Sequence, residues 1–258
     1  MTNTEQKSVR KNRKRPPPRK LSVIRKAMVT PNMLRVTLGG PELAGFPEDA
    51  DGGYVKLRLG MQDDDKPLVR TYTVRKYDSK ANEIEVDFVV HESEGPAANW
   101  AVSCEEGDQI QVGGPGPRKS LDSQADWFLL VGDMSALPAI SVNLERLHPN
   151  AKGYALLEVI HADDRQDLNI PPGIKVDWIV NSDPEQANEI LFNAVKALHW
   201  LDGQPSVWVA GELSQSLAIR TYLKSDRGVT AKQMYASSYW QIGHTEDGHR
   251  ISKQNIES

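Results

Sequence analysis

Residues 68 to 75 read Leu-Val-Arg-Thr-Tyr-Thr-Val-Arg. Valine, threonine and tyrosine crowd this short run, which predicts a strand. Side chains alternate faces along a strand, so Arg70, Tyr72 and Val74 share one face and Thr71, Thr73 and Arg75 the other. A guanidinium can fork onto the paired oxygens of a pyrophosphate. A phenol ring can lie flat on a fused heteroaromatic system, and a threonine hydroxyl can bond to a ring nitrogen. Together such groups could hold a flavin dinucleotide. The same residues also describe an ordinary exposed strand, and four residues alone do not separate the two readings.

Other stretches carry compatible chemistry. Gly95-Pro96-Ala97-Ala98-Asn99-Trp100-Ala101 begins as a turn and continues as a helix, whose first free amides collect anions. His91 stands just before it at a strand end. Val131-Gly132-Asp133-Met134-Ser135-Ala136 joins an apolar strand to a helix, where ligands of open α/β sheets bind. It lacks the glycine spacing of a dinucleotide fingerprint. Ala210-Gly211-Glu212 closes another such strand. Glu212 there reads equally as a helix start that favours an acidic group. Tyr239-Trp240 reads as core aromatics closing a last strand, or as a surface on which a base could stack. No histidine pair has zinc spacing, and neither a nucleophile elbow nor a P-loop occurs.

The elements that position these residues fall into two grammars. From residue 21 to about 120 short alternating strands are punctuated by turns, including Met33–Leu38, Gly53–Leu59, Glu83–Val90 and Gln109–Val112. At least six strands without a long helix predict a closed antiparallel barrel. From about 122 the strands become apolar and alternate with helices, expected near 135–147, 184–199 and up to Lys224. In the second of these, Ala187, Ile190, Leu191, Ala194 and Leu198 would form the buried face. That alternation predicts a parallel sheet with helices on both faces. The expected division is a basic Pro-rich arm over 1–20, a barrel domain over 21–122, an α/β domain over 123–243 and a polar tail over 244–258.

Composition narrows the partners. The 258 residues are 39% hydrophobic and 26% charged, ordinary for a globular protein. Residues 1–20 hold eight Lys and Arg against one Glu, leaving 23 basic and 34 acidic residues in the remainder. An acidic body argues against nucleic acid. No apolar run reaches membrane-helix length and no secretory signal is visible, so no membrane insertion and a cytoplasmic monomer are expected. The single cysteine, Cys104, excludes an internal disulfide and makes an iron–sulfur cluster unlikely on ligand count. It reads as a packed thiol near a strand edge.

The run Arg70-Thr71-Tyr72-Thr73-Val74-Arg75 resembles the signature of the siderophore-interacting protein family, flavin-dependent ferric-siderophore reductases. Three stretches follow in the family's order: His91–Ala97 with Trp100-Ala101, Val131–Ala139, and Tyr239–Gly243. The resemblance runs from about residue 20 to 250. It implies FAD held by Arg70, Thr71, Tyr72, Thr73, His91, Gly95, Pro96, Ala97 and Trp100, with Asp133, Ser135 and Ala136 at the adenosine and Tyr239 and Trp240 at the adenine. In the wider ferredoxin reductase superfamily Gly211 and Glu212 would face a nicotinamide. Lys56, Arg118 and Lys232 resemble positions that line the siderophore pocket. The usual Gly-Pro-Arg-Gly-like turn stands here as Gly114-Pro115-Gly116-Pro117-Arg118, with two extra residues. The implied activity is reduction of siderophore-bound Fe(III), with electrons from NAD(P)H or a ferredoxin and with no protein-bound metal. A general flavin reductase of the same superfamily and a non-enzymatic siderophore carrier are the alternatives.

Overall fold

The computed structural model describes residues 17–62, 65–90, 95–245, 248, 249 and 252. His91 and the acidic pair Asp63-Asp64 lie outside the described residues.

The first half is a curled antiparallel sheet of seven strands: β1 (Arg19–Thr30), β2 (Met33–Gly39), β3 (Tyr54–Met61), β4 (Pro67–Thr73), β5 (Lys76–Asp78), β6 (Glu83–Val89) and β7 (Gln109–Gly116). Their order is β4-β3-β7-β1-β2-β6-β5. The ladder therefore has two edges, where the sequence predicts a closed barrel. Chain continuity joins those edges at one end. β4 bends at Val74-Arg75 into β5, and the Arg75 amide donates to the Glu85 carbonyl on β6 at 2.8 Å. Alternation explains the packing. Val55 and Leu57 of β3 point into the core while Tyr54, Lys56 and Arg58 point out. A helix, α1 (Pro96–Ser103), interrupts the strands between β6 and β7. Cys104 is buried at the end of α1, so its seat is a helix terminus rather than the expected strand edge.

The second half is a parallel sheet of β8 (Trp127–Gly132), β9 (Lys152–Val159), β10 (Gly173–Val180), β11 (Pro205–Glu212) and β12 (Met234–Trp240), in the order β10-β9-β8-β11-β12. Every residue of β8 and β11 is buried, which is why neither strand alternates in sequence. Phe128 and Leu130 face α2 (Leu137–Glu145), while Trp127, Leu129 and Val131 face α3 (Ile190–Ala197) and α4 (Leu213–Ser225). Two helices are shorter than the sequence suggests. α2 starts only after a turn in which Ala136 and Leu137 donate to the Asp133 carbonyl. α3 starts at Ile190, whose amide donates to the Asn188 side chain at 3.0 Å. Asn188 thereby ends the preceding turn instead of extending the helix. Leu191 and Val195 are the buried residues of α3, and Ile190 is 43% exposed, against the expected face.

The halves meet through a few specific groups. Met33 of β2 enters the α2-side core of the parallel half. Arg75 pairs with Glu145 of α2 at 2.5 Å, and Asp49 with Arg146 at 2.5 Å. The fully buried carboxylate is Asp164, in the short turn after β9. It accepts from Thr30 Oγ1, Asn32 N and Asn32 Nδ2, each at 2.8 Å, and from its own neighbour His161 N at 2.9 Å. Burial pushes its pKa up, but bonds from Asn32, Thr30 and His161 outweigh this and hold it below the ordinary 3.8. The stabilisation is therefore present above the unfolded-state value and is lost as pH falls through the folded one. Asp164→Asn turns an acceptor into a donor facing donors. It should cost about 3 kcal/mol and lower the melting temperature by roughly 10 °C at neutral pH. Thermal unfolding followed by calorimetry checks this, and an unchanged melting temperature would show that the tie contributes nothing.

Candidate functional site

β4 is an edge of the curled sheet, pairing with β3 through Leu57↔Arg70, Lys56↔Thr71 and Val55↔Tyr72. Its inward face carries Arg70 and Tyr72, and the fully buried Val74 follows at the bend just past the strand. Tyr72 is half-buried, with its ring 4.4 Å from that of Phe88, which in turn lies 5.7 Å from Trp100 of α1. This aromatic run leads from β4 across β6 to α1. The Arg70 guanidinium donates to the Val69 carbonyl at 3.1 Å. Thr71 is exposed, and Thr73 is half-buried opposite Tyr54.

α1 begins at Gly95 with no side chain capping it, and Pro96 takes the first turn. The amides that follow have no intrahelical acceptor at this end. Among the described residues no atom stands within 4 Å of where a Gly95 side chain would begin. Ala97 is buried under this turn, and Trp100 is half-buried one turn on.

A second group of predicted residues gathers where β8, β11 and β12 end. Asp133, 8% exposed, accepts from Ser135 N at 2.9 Å, and its other oxygen accepts from Glu212 N and Trp240 Nε1, both at 2.8 Å. One carboxylate thus ties three strand ends together. Gly211 has φ +146°, and a Cβ there would stand 2.4 Å from Asp133 Oδ2, so a larger residue would expel that carboxylate. Burial pushes the Asp133 carboxyl up, against the bonds from Ser135, Trp240 and Glu212. Glu212 is the N-cap of α4, accepting from Ser214 N at 2.6 Å and Gln215 N at 3.1 Å. Ala136 is fully buried beneath the turn. Tyr239 is built into the α2-side core against Trp208, with ring centroids 6.3 Å apart. Its phenol is pushed well up by burial and by Tyr235. Tyr239 and Trp240 are both partly buried, Tyr239 packed against the α2-side core and Trp240 bonded to Asp133 at the strand end.

The three predicted basic residues do not converge. Lys56 is exposed on the outer face of β3, bonded to Thr71 Oγ1 and 5.9 Å from the centre of the Tyr54 ring. It borders β4 from the side opposite Tyr72. Arg118 is held by Asp49 at 3.2 Å through both guanidinium nitrogens and by the Asp51 carbonyl at 2.7 Å. Its charge is already matched within the fold, and it packs over Gly52. Lys232 precedes β12, at the amino edge of the parallel sheet. A strand rises about 3.3 Å per residue, which sets it roughly 20 Å from Trp240. The register of the last strand thus separates it from the other candidates.

Glu158, near the end of β9, is a residue that motif reasoning passes over. It is 5% exposed and accepts from Asn181 Nδ2 at 3.0 Å and Gln215 Nε2 at 3.5 Å. A cavity of about 10 Å³ lies between it, Asp133, Gly211, Glu212 and Gln215. Burial, with Asp133 and Glu212 adding like charge, raises its pKa from 4.5 to about 7, against the bonds from Asn181 and Gln215. The signal in the sequence is a lone carboxylate in the apolar run Ala155-Leu156-Leu157-Glu158-Val159. A carboxyl raised in the folded state favours folding fully below pH 4.5, and that contribution is lost as pH rises through about 7. Glu158→Gln loses that pH dependence but turns an amide donor toward donors, so its melting temperature relative to the parent should rise by a few degrees from pH 5 to pH 8, whatever its offset. Melting curves at the two pH values check it. An equal gap at both would remove the ionisation from the account.

Comparison with known proteins agrees along the chain. The model of the siderophore-interacting FAD-binding domain matches residues 22–63 and 58–119, and that of the siderophore-interacting protein matches 125–243. Ferric vibriobactin reductase ViuB of Vibrio cholerae is 38% identical, over 93% of this chain and 95% of its own. The siderophore-interacting protein SipS from Aeromonas hydrophila is 29% identical with a TM-score of 0.83, covering 93% of this chain and 98% of that one. A siderophore utilization protein from T. fusca is 32% identical with a TM-score of 0.77, covering 91% and 98%. The chain belongs to the siderophore-interacting protein family.

Proposed function

We propose that the protein is an FAD-dependent ferric-siderophore reductase that releases iron in the cytoplasm, working as a monomer of two domains that divide between β7 and β8. The observation that carries this reading is the similarity to a ferric vibriobactin reductase over 93% of the chain. The uncapped start of α1 supports the fit of FAD, because its open amides suit a pyrophosphate. Bound FAD supplies the redox chemistry, passing electrons singly to Fe(III), which leaves as Fe(II) because hard siderophore oxygens hold it less tightly. One NAD(P)H carries two electrons, enough for two ferric chelates; a ferredoxin would deliver them one at a time.

The protein's part is to hold and orient. Arg70 and the first amides of α1 would hold the pyrophosphate, and the family resemblance assigns His91 to the flavin or its ribityl chain. Tyr72, backed by Phe88, offers a ring face to the isoalloxazine. Thr71 and Thr73 offer hydroxyls at its edge. Trp240, fixed by its bond to Asp133, offers a ring to the adenine. Ser135 and Ala136 shape the turn beside the adenosine. Lys56 draws the anionic chelate toward β4. Arg118 holds the loop around Asp49 and Asp51 rather than the substrate, since its charge is matched there.

The purified protein should be yellow, and Arg70→Ala should bind FAD roughly ten- to a hundredfold more weakly, the worth of charge-assisted hydrogen bonds. Flavin retained after desalting measures this; equal retention would remove Arg70 from the cofactor site, and a colourless parent would sink the enzyme reading. Lys56→Ala should raise KM for an anionic ferric chelate several-fold while leaving FAD bound, and high salt should shrink the difference. Steady-state kinetics at two ionic strengths test this, and identical KM values would place the substrate elsewhere.

A further inference from the structure

Residues 10 to 15 read Arg-Lys-Asn-Arg-Lys-Arg, five cations in six positions, followed by Pro16-Pro17-Pro18. The run lies outside the described residues, but the strand it leads into is described, and that strand's register shows which face the arm joins. β1 enters the curled sheet at Arg19, pairing with β7 through Arg19↔Val112, Lys20↔Gln111 and Leu21↔Ile110. On its other side β7 pairs with β3 through Lys56↔Gly113, Leu57↔Val112 and Arg58↔Gln111. Leu21, Ile110, Val112 and Leu57 are buried, so Lys20, Gln111, Arg58 and Lys56 share the outer face. Arg58, Gln111 and Lys20 form one row across it, with Arg58 donating to the Gln111 side chain at 3.1 Å. Lys56 and Gly113 begin the next row. Pro18, two residues before Lys20 and so opposite Gly113 in register, completes it. Strands stand about 4.8 Å apart, which sets the root of the arm roughly 10 Å from Lys56. Gly113 keeps the lane between them clear: among the described residues, a side chain starting there would meet only Lys56 atoms within 4 Å.

We propose that the Arg10–Arg15 run completes the chelate site on the outer face of β3, its cations joining Lys56, Arg58 and Lys20 to capture a multiply anionic ferric chelate. This deepens the ferric-siderophore reductase reading and rests on it. Reach allows it. A chain spans at most about 3.6 Å per residue, so Arg15 stays within roughly 11 Å of Pro18 and Arg10 within roughly 29 Å. With a Debye length of about 8 Å at physiological salt, the nearer cations act on what lies beside Lys56 rather than across the molecule. Charge selects the occupant. The arm and this face are both positive and repel each other, so the arm does not settle on the face by itself. A small anion carrying several charges can bridge the two. Glu42, which accepts from Lys20 N at 2.6 Å, is one carboxylate near the root of a run of five cations. Beyond residue 20 the chain holds 23 basic and 34 acidic residues, a body that repels anions at long range. The arm supplies the attraction that the body lacks.

The test uses the full chain loaded with FAD, reduced with dithionite and freed of excess reductant without air. It is mixed with ferric trisoxalate, which carries three negative charges, or with neutral ferric tris-acetohydroxamate. The return of flavin absorbance gives a second-order rate constant for each chelate. A variant combining Arg10→Gln, Lys11→Gln, Arg13→Gln, Lys14→Gln and Arg15→Gln should react about tenfold more slowly with the trianion at low salt. It should react with the neutral chelate within about twofold of the parent, and salt near 0.5 M should close the trianion gap. A second variant, Arg10→Lys with Arg13→Lys and Arg15→Lys, keeps the charge and should match the parent. Equal trianion constants in the parent and the glutamine variant, or equal slowing of both chelates, would overturn the proposal and leave the reductase standing. Phosphatidylglycerol vesicles that sediment the parent but not the glutamine variant, with trianion constants unchanged, would give the arm to a lipid surface and overturn it as well. If the parent's flavin stayed reduced with both chelates, the reductase reading itself would fail and take the proposal with it.

Discussion

The buried carboxylate of Asp164 is the constraint on which the arrangement of this molecule depends. It sits on the parallel half and spends both oxygens mainly on the β1–β2 turn of the antiparallel half. Apolar contact between the halves is contributed by residues such as Met33 and Val89. Burial of that kind is non-directional and would tolerate sliding. Hydrogen bonds near 2.8 Å with fixed donors do not. Arg75–Glu145 and Asp49–Arg146 act farther out, where solvent weakens them. The relative placement of β4 and the carboxyl edge of the parallel sheet is therefore set by a polar tie at one turn.

The same device recurs on a smaller scale at the carboxyl edge. Asp133 bonds to the backbone after β11 and to the indole that ends β12. Gly211 is the glycine that this close approach requires. Motif reasoning reads Asp133, Gly211 and Trp240 as separate ligand-facing positions. In the structure they are one assembly whose side chains are largely engaged with each other. Their positions are fixed by bonds within the fold itself.

Much of the architecture was legible because periodicity reports burial. β3 and β6 alternate, so their faces could be assigned; β8 and β11 do not, and they lie in a sheet covered on both sides. The Arg70–Tyr72–Val74 face was legible for the same reason. That the first sheet stays open between β4 and β5 was not, since strand pairing order leaves no mark in the side-chain pattern of either strand. The start of α3 was missed because a single side-chain bond from Asn188 outcompetes the helical periodicity of the residues before it. Arg118 and Lys232 illustrate a third limit. Sequence shows a cation but not its partner or which end of a strand it occupies, and those two facts decide what the charge can do.

The distribution of charge gives this last point its functional weight. Several arginines are tied into ion pairs: Arg35 with Asp87 and Glu85, Arg75 with Glu145, and Arg118 and Arg146 with the one carboxylate of Asp49. At the parallel sheet's edge the excess runs the other way, with Glu158 set among Asp133, Glu212 and the side-chain amides of Asn181 and Gln215. Lys56, with Thr71 and the Tyr54 ring beside it, is the cation proposed to draw an anionic chelate toward β4. What a cation can do is thus decided by its neighbours: Arg118 spends two guanidinium nitrogens on Asp49, whereas Lys56 stands on the outer face of β3 beside a hydroxyl and a ring.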